Sequence, residues 1–229
     1  MSIAAQYAEV SSEVRDECEL VGRAVSEVTL VAVSKTVGLA GVEQAIAAGA
    51  TDFGENRPDQ LVAKAEAFPQ VRWHFIGNIQ SRQIPKIVQH AHLIHSLFEE
   101  RHAAKIGEAA AALGKVQEVL LEVNVSGEQS KSGVDPASLP ALVEFVGALP
   151  QVRIRGLMTM APQGDRDAAQ RAFAGLRRLA DEIRSGMDAV QAASFDQLSM
   201  GMSEDWRIGI EEGATIVRIG RAIFSDDFA

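Results

Sequence analysis

The sequence has little of what disulfide-bonded, membrane-spanning or nucleic-acid-binding proteins require. Its 229 residues include one cysteine, Cys18, which excludes an internal disulfide and a cysteine-rich zinc site. No apolar run approaches the roughly 20 residues that cross a bilayer, and the N-terminus lacks the basic start and apolar stretch of a secretory signal. Lysine and arginine number 22 against 31 acidic residues, and the net charge of −9 disfavours binding to nucleic acid. We therefore expect a soluble, cytoplasmic protein.

The chain also lacks linkers, charge blocks and low-complexity tracts, which predicts one domain over residues 1–229. Short β-branched runs alternate with longer alanine-rich amphipathic runs. Eight such runs predict strands, at residues 29–34, 51–54, 71–76, 92–97, 116–125, 152–159, 194–200 and 214–219. Strict alternation of strands and helices predicts a parallel sheet, and eight units favour an α/β fold of the closed (β/α)8 TIM-barrel type. An open doubly wound sheet is the alternative, although the first strand is not followed by a dinucleotide-binding glycine motif.

Helix signals agree with this alternation. An opening helix is predicted over about residues 3–24, before the first strand, and further helices over 39–48, 99–113 and 168–184. Gly49, Gly114 and Gly213 each follow a helical run, where a left-handed residue ends a helix. Ser203 is predicted to cap the helix that follows the seventh strand.

Polar residues and glycines collect at the predicted carboxyl ends of the strands, where parallel sheets and barrels place their active sites. These residues are Lys35, Glu55, Asn56, His74, Gly77, Ser96, Asn124, Thr159, Ser199, Arg218 and Gly220. A lysine partly desolvated at a barrel mouth has a lowered pKa, so its neutral amine attacks carbonyls. The alternative for Lys35 is a side chain that extends into solvent.

The ends of the last two strands suggest a phosphate site. Barrels commonly bind phosphate with the loops after strands seven and eight. Gly220 would let the backbone approach an anion closely, and Ser199 or Ser203 would add a hydroxyl. A phosphate site opposite a reactive lysine suggests pyridoxal phosphate held as a Schiff base.

These residues carry a resemblance that covers nearly the whole chain. The stretches are VAVSKTV (31–37), FGENRPDQL (53–61), WHFIGNIQSRQ (73–83), EVNVSGEQSKSGV (122–134), IRGLMTMAP (154–162) and LSMGMSEDWRIGIEEGATIVRIGRAIF (198–224). On them the chain resembles the pyridoxal phosphate homeostasis protein family, which are single-domain relatives of the alanine racemase barrel. The resemblance implies a protein that binds pyridoxal 5'-phosphate, and buffers, stores and delivers it inside the cell.

The resemblance also implies roles for individual residues. Lys35 would form the Schiff base and Arg218 would lie beside the pyridine nitrogen. The phosphate would be held by Ser199 and by the backbone of Gly220 and Arg221, and Met200 would be a further cofactor-binding residue. Asn56 and His74 would line the surroundings of the cofactor, and Lys131 would be a secondary contact.

A non-catalytic carrier is favoured over an enzyme. An arginine at the pyridine nitrogen leaves that nitrogen unprotonated and weakens the electron sink. Racemisation also needs a base on each face of the substrate carbon. The resemblance implies that the related racemases take the second base from a tyrosine of a further C-terminal domain, which we do not expect here. The one tyrosine, Tyr7, is predicted to pack in the opening helix.

Two enzymatic alternatives remain open at this point. One is a pyridoxal phosphate-dependent amino-acid racemase or decarboxylase, and the other is a sugar-phosphate barrel enzyme in which Glu55 or Glu122 is the acid or base. For the carrier we expect a monomer that has pyridoxal phosphate-dependent apoenzymes as candidate recipients. His90, His92 and His95 are predicted to be ordinary surface and strand-end residues, and no metal site is expected.

Overall fold

The computed structural model describes residues 1–128 and 131–225 and contains eight parallel strands. Each strand pairs with the next one in the sequence, and β8 pairs with β1, so the sheet closes into a barrel. The strands are β1 (Thr29–Val33), β2 (Asp52–Glu55), β3 (Arg72–Phe75), β4 (Leu93–Leu97), β5 (Gln117–Glu122), β6 (Val152–Met158), β7 (Gln197–Ser199) and β8 (Ile216–Ile219). The predicted (β/α)8 barrel is confirmed.

Helices surround the barrel and connect its strands. They are α1 (Ile3–Leu20), α2 (Leu39–Ala47), α3 (Pro58–Ala67), α4 (Ile84–His90), α5 (Glu100–Ala112), α6 (Leu139–Gly147), α7 (Arg166–Ser185), α8 (Ala189–Ser194), α9 (Trp206–Glu211) and α10 (Arg221–Phe224). Their apolar faces pack on the outside of the sheet and form the larger of two buried apolar clusters.

Alternation along each strand decides which side chains point into the barrel. The second apolar cluster is small and consists of inward residues from several strands: Val31, Val33, Leu93, Leu120, Met158 and Ile216. The same alternation turns Asp52, His74, His95, Ser199 and Arg218 inward, and all five side chains are buried. The interior of this barrel is therefore partly polar, whereas branched apolar residues dominate most barrels of this type.

The extra N-terminal helix is present, although it ends at Leu20 and the prediction extended it to residue 24. Gly22 has a φ of +72°, and the Arg23 amide donates to the Cys18 carbonyl at 2.8 Å, which ends the helix with a left-handed residue. Gly49, Gly114 and Gly213 likewise have positive φ, as predicted.

Two local predictions near strand seven are wrong. The predicted strand over residues 194–200 is only three residues long, because its first residue ends the short helix α8. Ser203 does not cap α9, since that helix begins at Trp206 and Asp205 is its N-cap residue.

Within the described ranges, no helix is both long enough and apolar enough to cross a membrane.

Candidate functional site

Four of the predicted site residues lie on the rim formed by the carboxyl ends of the strands. Lys35 is the second residue after β1, Asn56 follows β2, and Gly220 and Arg221 follow β8. Because β8, β1 and β2 are consecutive in the barrel, these residues occupy one arc of the rim. Lys35, Asn56 and Arg221 are exposed, so a ligand can reach them from solvent.

Two glycines let the strand ends of this arc approach closely. A Cβ atom on Gly220 would lie 3.1 Å from the carbonyl oxygen of Val33, two residues before Lys35. A Cβ atom on Gly77 would lie only 2.1 Å from the carbonyl oxygen of Asn56. The Ser96 hydroxyl donates to the Gly77 carbonyl at 2.5 Å and fixes this approach. The rim therefore needs glycine at position 77, and a side chain at position 220 would crowd the end of β1.

A buried ion pair behind the rim holds the residue that precedes Lys35. Ser34 and Glu55 point outward from the barrel, where Lys64 of α3 reaches them. The Lys64 ammonium donates to Glu55 Oε1 at 2.5 Å and to the Ser34 carbonyl at 2.9 Å, and the Ser34 hydroxyl donates to Glu55 Oε1 at 2.6 Å. Lys64 and Glu55 are both fully buried. This set of contacts fixes the backbone from which Lys35 projects.

The environment of Lys35 differs from the prediction in one respect. The prediction that the protein itself partly desolvates the Lys35 amine is wrong, because Lys35 is exposed. The loops that follow the strands leave this part of the mouth open, and burial of the amine would have to come from a bound ligand.

Arg218 lies in the barrel just below the rim. Burial lowers the pKa of its guanidinium to about 10, although the negative charges of Asp205 and Glu122 oppose this effect. The guanidinium therefore stays charged at neutral pH. It donates to Ser199 Oγ at 2.6 Å and to the Thr159 carbonyl at 3.1 Å. Of its five N–H donors, the other three have no acceptor among the described residues, so they are available to a ligand.

Ser199 and Met200 are placed differently from the rim residues. The Ser199 hydroxyl accepts from Arg218 and lies 2.9 Å from His95 Nδ1, and the residue is fully buried. The Met200 side chain is buried on the outer side of the sheet, and its amide donates to the Ile216 carbonyl. Ser199 thus lies under Arg218, and Met200 contributes to the helix-facing core.

His74 and His95 meet inside the barrel. His74 Nδ1 lies 2.9 Å from His95 Nε2, and His74 Nε2 lies 3.0 Å from Asp52 Oδ1. The expectation that His95 is an ordinary surface or strand-end histidine is wrong, because this residue is completely buried. Sequence reasoning missed Asp52 and His95 as parts of the site. The alternation of side chains along each strand was the available signal, because it turns residues 52, 74, 95, 199 and 218 towards the barrel interior.

Ser203 reaches the rim although it caps no helix. Its hydroxyl oxygen lies 3.4 Å from the amide nitrogen of Gly220, and the neighbouring Glu204 accepts a hydrogen bond from the Arg221 side chain at 2.6 Å. The loop after β7 and the residues after β8 are therefore in contact.

Lys131 and Ser132, which come after β5, lie at the opposite side of the mouth. The Lys131 ammonium donates to the Met160 carbonyl at 3.4 Å and lies 3.6 Å from Glu128. Burial raises the pKa of Glu122, although a hydrogen bond from Ser132 at 2.6 Å opposes the shift. Lys131 thus stands beside the end of β6, away from the Lys35 arc.

Tyr7 and Cys18 both pack on the inner face of α1. Both residues are buried in the outer core, and burial raises the pKa of the Cys18 thiol and of the Tyr7 hydroxyl. In the part of the chain that the structure describes, no three histidine, cysteine, aspartate or glutamate side chains are grouped so that they could hold a metal ion.

The fold and the rim residues define a class of protein: a parallel barrel with an accessible lysine after β1 and a buried arginine and a glycine at the end of β8. Residues 11–227 match the family model described as alanine racemase, N-terminal domain. An alanine racemase from Streptomyces coelicolor superposes with a TM-score of 0.74 at 18% identity, over 97% of this chain and 58% of that one, which shows the shared fold.

Closer relatives cover both chains almost completely. The chain is 42% identical over 226 residues to a pyridoxal phosphate homeostasis protein of Pseudomonas aeruginosa, over 97% of this chain and 95% of the relative. It is 37% identical to one from Aquifex aeolicus, over 99% of each. PipY of Synechococcus elongatus, solved with PLP bound, superposes with a TM-score of 0.79 at 35% identity, over 93% of this chain and all of that one. The chain therefore belongs to the alanine racemase N-terminal domain family and, within it, to the pyridoxal phosphate homeostasis proteins.

Proposed function

We propose that this protein binds pyridoxal 5'-phosphate at the Lys35 arc of the rim and serves in the intracellular homeostasis of that cofactor. One observation carries the proposal: an exposed lysine amine and a buried guanidinium with three uncommitted N–H donors stand at the ends of the neighbouring strands β1 and β8. The relatives' names and the PLP-bound PipY structure agree with it.

The residues present fit the chemical groups of the cofactor. Lys35 would hold the cofactor through a bond from its amine to the aldehyde carbon, with water as the leaving group. Arg218 would donate a hydrogen bond to the pyridine nitrogen, which accepts one when it is unprotonated. The backbone of Gly220 and Arg221 would hold the phosphate, and Asn56 borders the same arc. When bound, the cofactor supplies a reactive aldehyde and an electron sink.

The geometry changes how Ser199, Met200 and His74 contribute. The Ser199 hydroxyl is already shared between Arg218 and His95, so we assign the phosphate hydroxyl to Ser203, which lies beside the Gly220 amide. Ser199 and His74 then support Arg218 from below, and Met200 holds β7 against β8. Lys131 is a secondary contact at the other side of the mouth.

A carrier without catalytic turnover is the role that these residues favour. A guanidinium at the pyridine nitrogen keeps that nitrogen unprotonated, which weakens the electron sink. Tyr7 is buried in the packing of α1 and is not available as a base on the second face of a substrate. A racemase or decarboxylase is therefore not favoured. We further propose a cytoplasmic monomer that delivers the cofactor to pyridoxal phosphate-dependent apoenzymes.

The decisive experiment is absorption spectroscopy with borohydride reduction and peptide mass mapping. With added pyridoxal phosphate, the wild-type protein should turn yellow and carry the reduced adduct on Lys35. Lys35→Ala should lose the band and the adduct while it stays folded. Lys105→Ala, which removes an exposed lysine of α5, should keep both.

An adduct on another lysine, or a band that persists in Lys35→Ala, would move the site. A wild-type protein that stays colourless would refute cofactor binding and favour the sugar-phosphate barrel. Amino-acid racemisation and decarboxylation assays on the loaded protein then separate a carrier, which shows no turnover, from an enzyme.

A further inference from the structure

Five buried side chains from five strands form one hydrogen-bonded chain through the interior of the barrel. Arg218 of β8 donates to Ser199 of β7 at 2.6 Å, and Ser199 Oγ lies 2.9 Å from His95 Nδ1 of β4. His95 Nε2 lies 2.9 Å from His74 Nδ1 of β3, whose Nε2 lies 3.0 Å from Asp52 Oδ1 of β2. We call these five residues the relay. It begins below the rim and ends near the amino-terminal ends of the strands.

The charge at each end of the relay is fixed. Arg218 remains a cation, as described above. At the other end, burial opposes ionisation of Asp52, but hydrogen bonds from His74 and Arg72 together hold its pKa well below its usual range. Arg72 makes two hydrogen bonds to this carboxylate, at 2.7 and 2.6 Å, and is itself half-exposed. Asp52 is therefore an acceptor only.

The fixed charges of Arg218 and Asp52 decide which atom donates in each hydrogen bond between them. Because Asp52 accepts, His74 Nε2 carries a proton. If both rings are neutral, His74 Nδ1 accepts from His95 Nε2–H, and His95 Nδ1 accepts from the Ser199 hydroxyl. Ser199 Oγ in turn accepts from Arg218. Every donor that links two members of the relay then points from the rim towards Asp52, and both ring nitrogens of each histidine have a partner.

The groups around His95 favour its neutral form. Arg218 lies above the pair and Arg72 below it, and the ring of His92 stands 5.9 Å from that of His74. Burial lowers the pKa of His95 well below its ordinary value, and the positive charge of Arg218 adds to this effect. Asp52 and, at the start of β5, Glu118 are the carboxylates near these histidines. The opposite direction would require protons on both nitrogens of the His74 ring and would turn the Ser199 hydroxyl away from His95.

We propose that His95 and His74 are positioning residues that fix the Ser199 hydroxyl as an acceptor for Arg218 and thereby direct the remaining Arg218 donors to the rim. The carboxylates whose charge acts on Arg218 are those of Asp205 and Glu122, whereas its hydrogen bonds within the described residues go to Ser199 and Thr159, so its other donors are left for a ligand. The identity of that ligand, pyridoxal phosphate, rests on the proposed function. The arrangement of protons in the relay does not.

The first test reads the protons of the relay without any cofactor. Nitrogen-15 NMR of the histidine side chains in the ligand-free protein at pH 7 should show both His74 and His95 neutral, each protonated at Nε2 and bare at Nδ1. A proton on His95 Nδ1, or a doubly protonated His74, would overturn the proposal. This result stands whether or not the protein binds pyridoxal phosphate, so it separates failure of the relay from failure of the proposed function.

The second test reads the effect on Arg218 by substituting His95. His95→Leu ends the relay below Ser199, and we expect the affinity for pyridoxal phosphate to fall roughly tenfold, as for loss of one hydrogen bond to a charged group. We also expect the absorption maximum of the bound cofactor to shift. His95→Gln can accept from Ser199 and donate to His74, so it should restore both values.

His102→Leu is the matched control, since His102 is also buried but lies on α5 outside the barrel interior. It should leave the affinity and the spectrum unchanged. Wild-type affinity and spectrum in His95→Leu, or an equal loss in His95→Gln and His95→Leu, would refute the positioning role. Should His95→Leu fail to fold, the His95→Gln protein and the NMR experiment still decide.

Discussion

Replacement of Lys64 by methionine tests the claim that a buried ion pair holds the backbone before Lys35. Methionine keeps the length of the side chain but removes the charge, so the carboxylate of Glu55 stays buried with only the Ser34 hydroxyl as a partner. Removal of one partner of a buried pair costs about 3–5 kcal/mol. At roughly 2–4 °C per kcal/mol for a protein of this size, the melting temperature should fall by about 6–20 °C.

The assay is urea and thermal unfolding at pH 7, with two further variants. Lys64→Met/Glu55→Gln removes both charges and keeps an acceptor for Ser34, so it should recover at least about half of the lost stability. Lys86→Met breaks an exposed pair with Asp59 at 3.4 Å and should cost less than about 1 kcal/mol. The reasoning fails if Lys64→Met is as stable as Lys86→Met, or if the double variant is no more stable than the single one.

Two further predictions concern the rim and the interior. Gly77→Ala should destabilise the protein by about 3 kcal/mol, because its Cβ would lie 2.1 Å from the Asn56 carbonyl oxygen; Gly147→Ala, with open space around it, should change the stability by no more than about 1 kcal/mol in the same denaturation experiment. The lowered pKa of folded His95 makes the unfolded chain bind more protons below pH 6.5, so stability is lost as the pH falls. Between pH 7 and pH 5.5 this group should cost on the order of 1 kcal/mol. His95→Gln should remove that part of the acid slope in urea titrations at the two pH values, and an unchanged slope would contradict it.

The barrel itself could be predicted because its signals are local. Each strand is a short β-branched run, and left-handed glycines such as Gly49, Gly114 and Gly213 mark helix ends within the sequence. The rim residues Lys35, Asn56 and Gly220 could be predicted for the same reason, because they directly follow such runs. The short helix α8 was missed because the predicted strand over 194–200 absorbed its last residue.

The interior of the site could not be predicted in the same way, because it depends on register between distant strands. His95 and Ser199 are 104 positions apart and meet across the barrel. Parity places His95 on the same side of β4 as Leu93, but it does not show that Ser199 stands opposite. The exposure of Lys35 also could not be predicted from the sequence, because it depends on how the loops after several strands lie around the mouth.

The polar interior also bears on how the barrel folds. A chain with β1 to β6 assembled but β7 and β8 undocked would leave His95 without Ser199, in an interior otherwise lined by Leu93 and Leu120. Arg218 likewise finds its acceptors only when β8 closes against β7 and lies beside β6. Unpaired polar groups in an apolar interior are costly. A barrel in which only some strands have paired therefore gains little free energy of folding from those strands. Closure of this barrel is therefore cooperative, because β7 and β8 supply hydrogen-bond partners that the interior of the first six strands lacks.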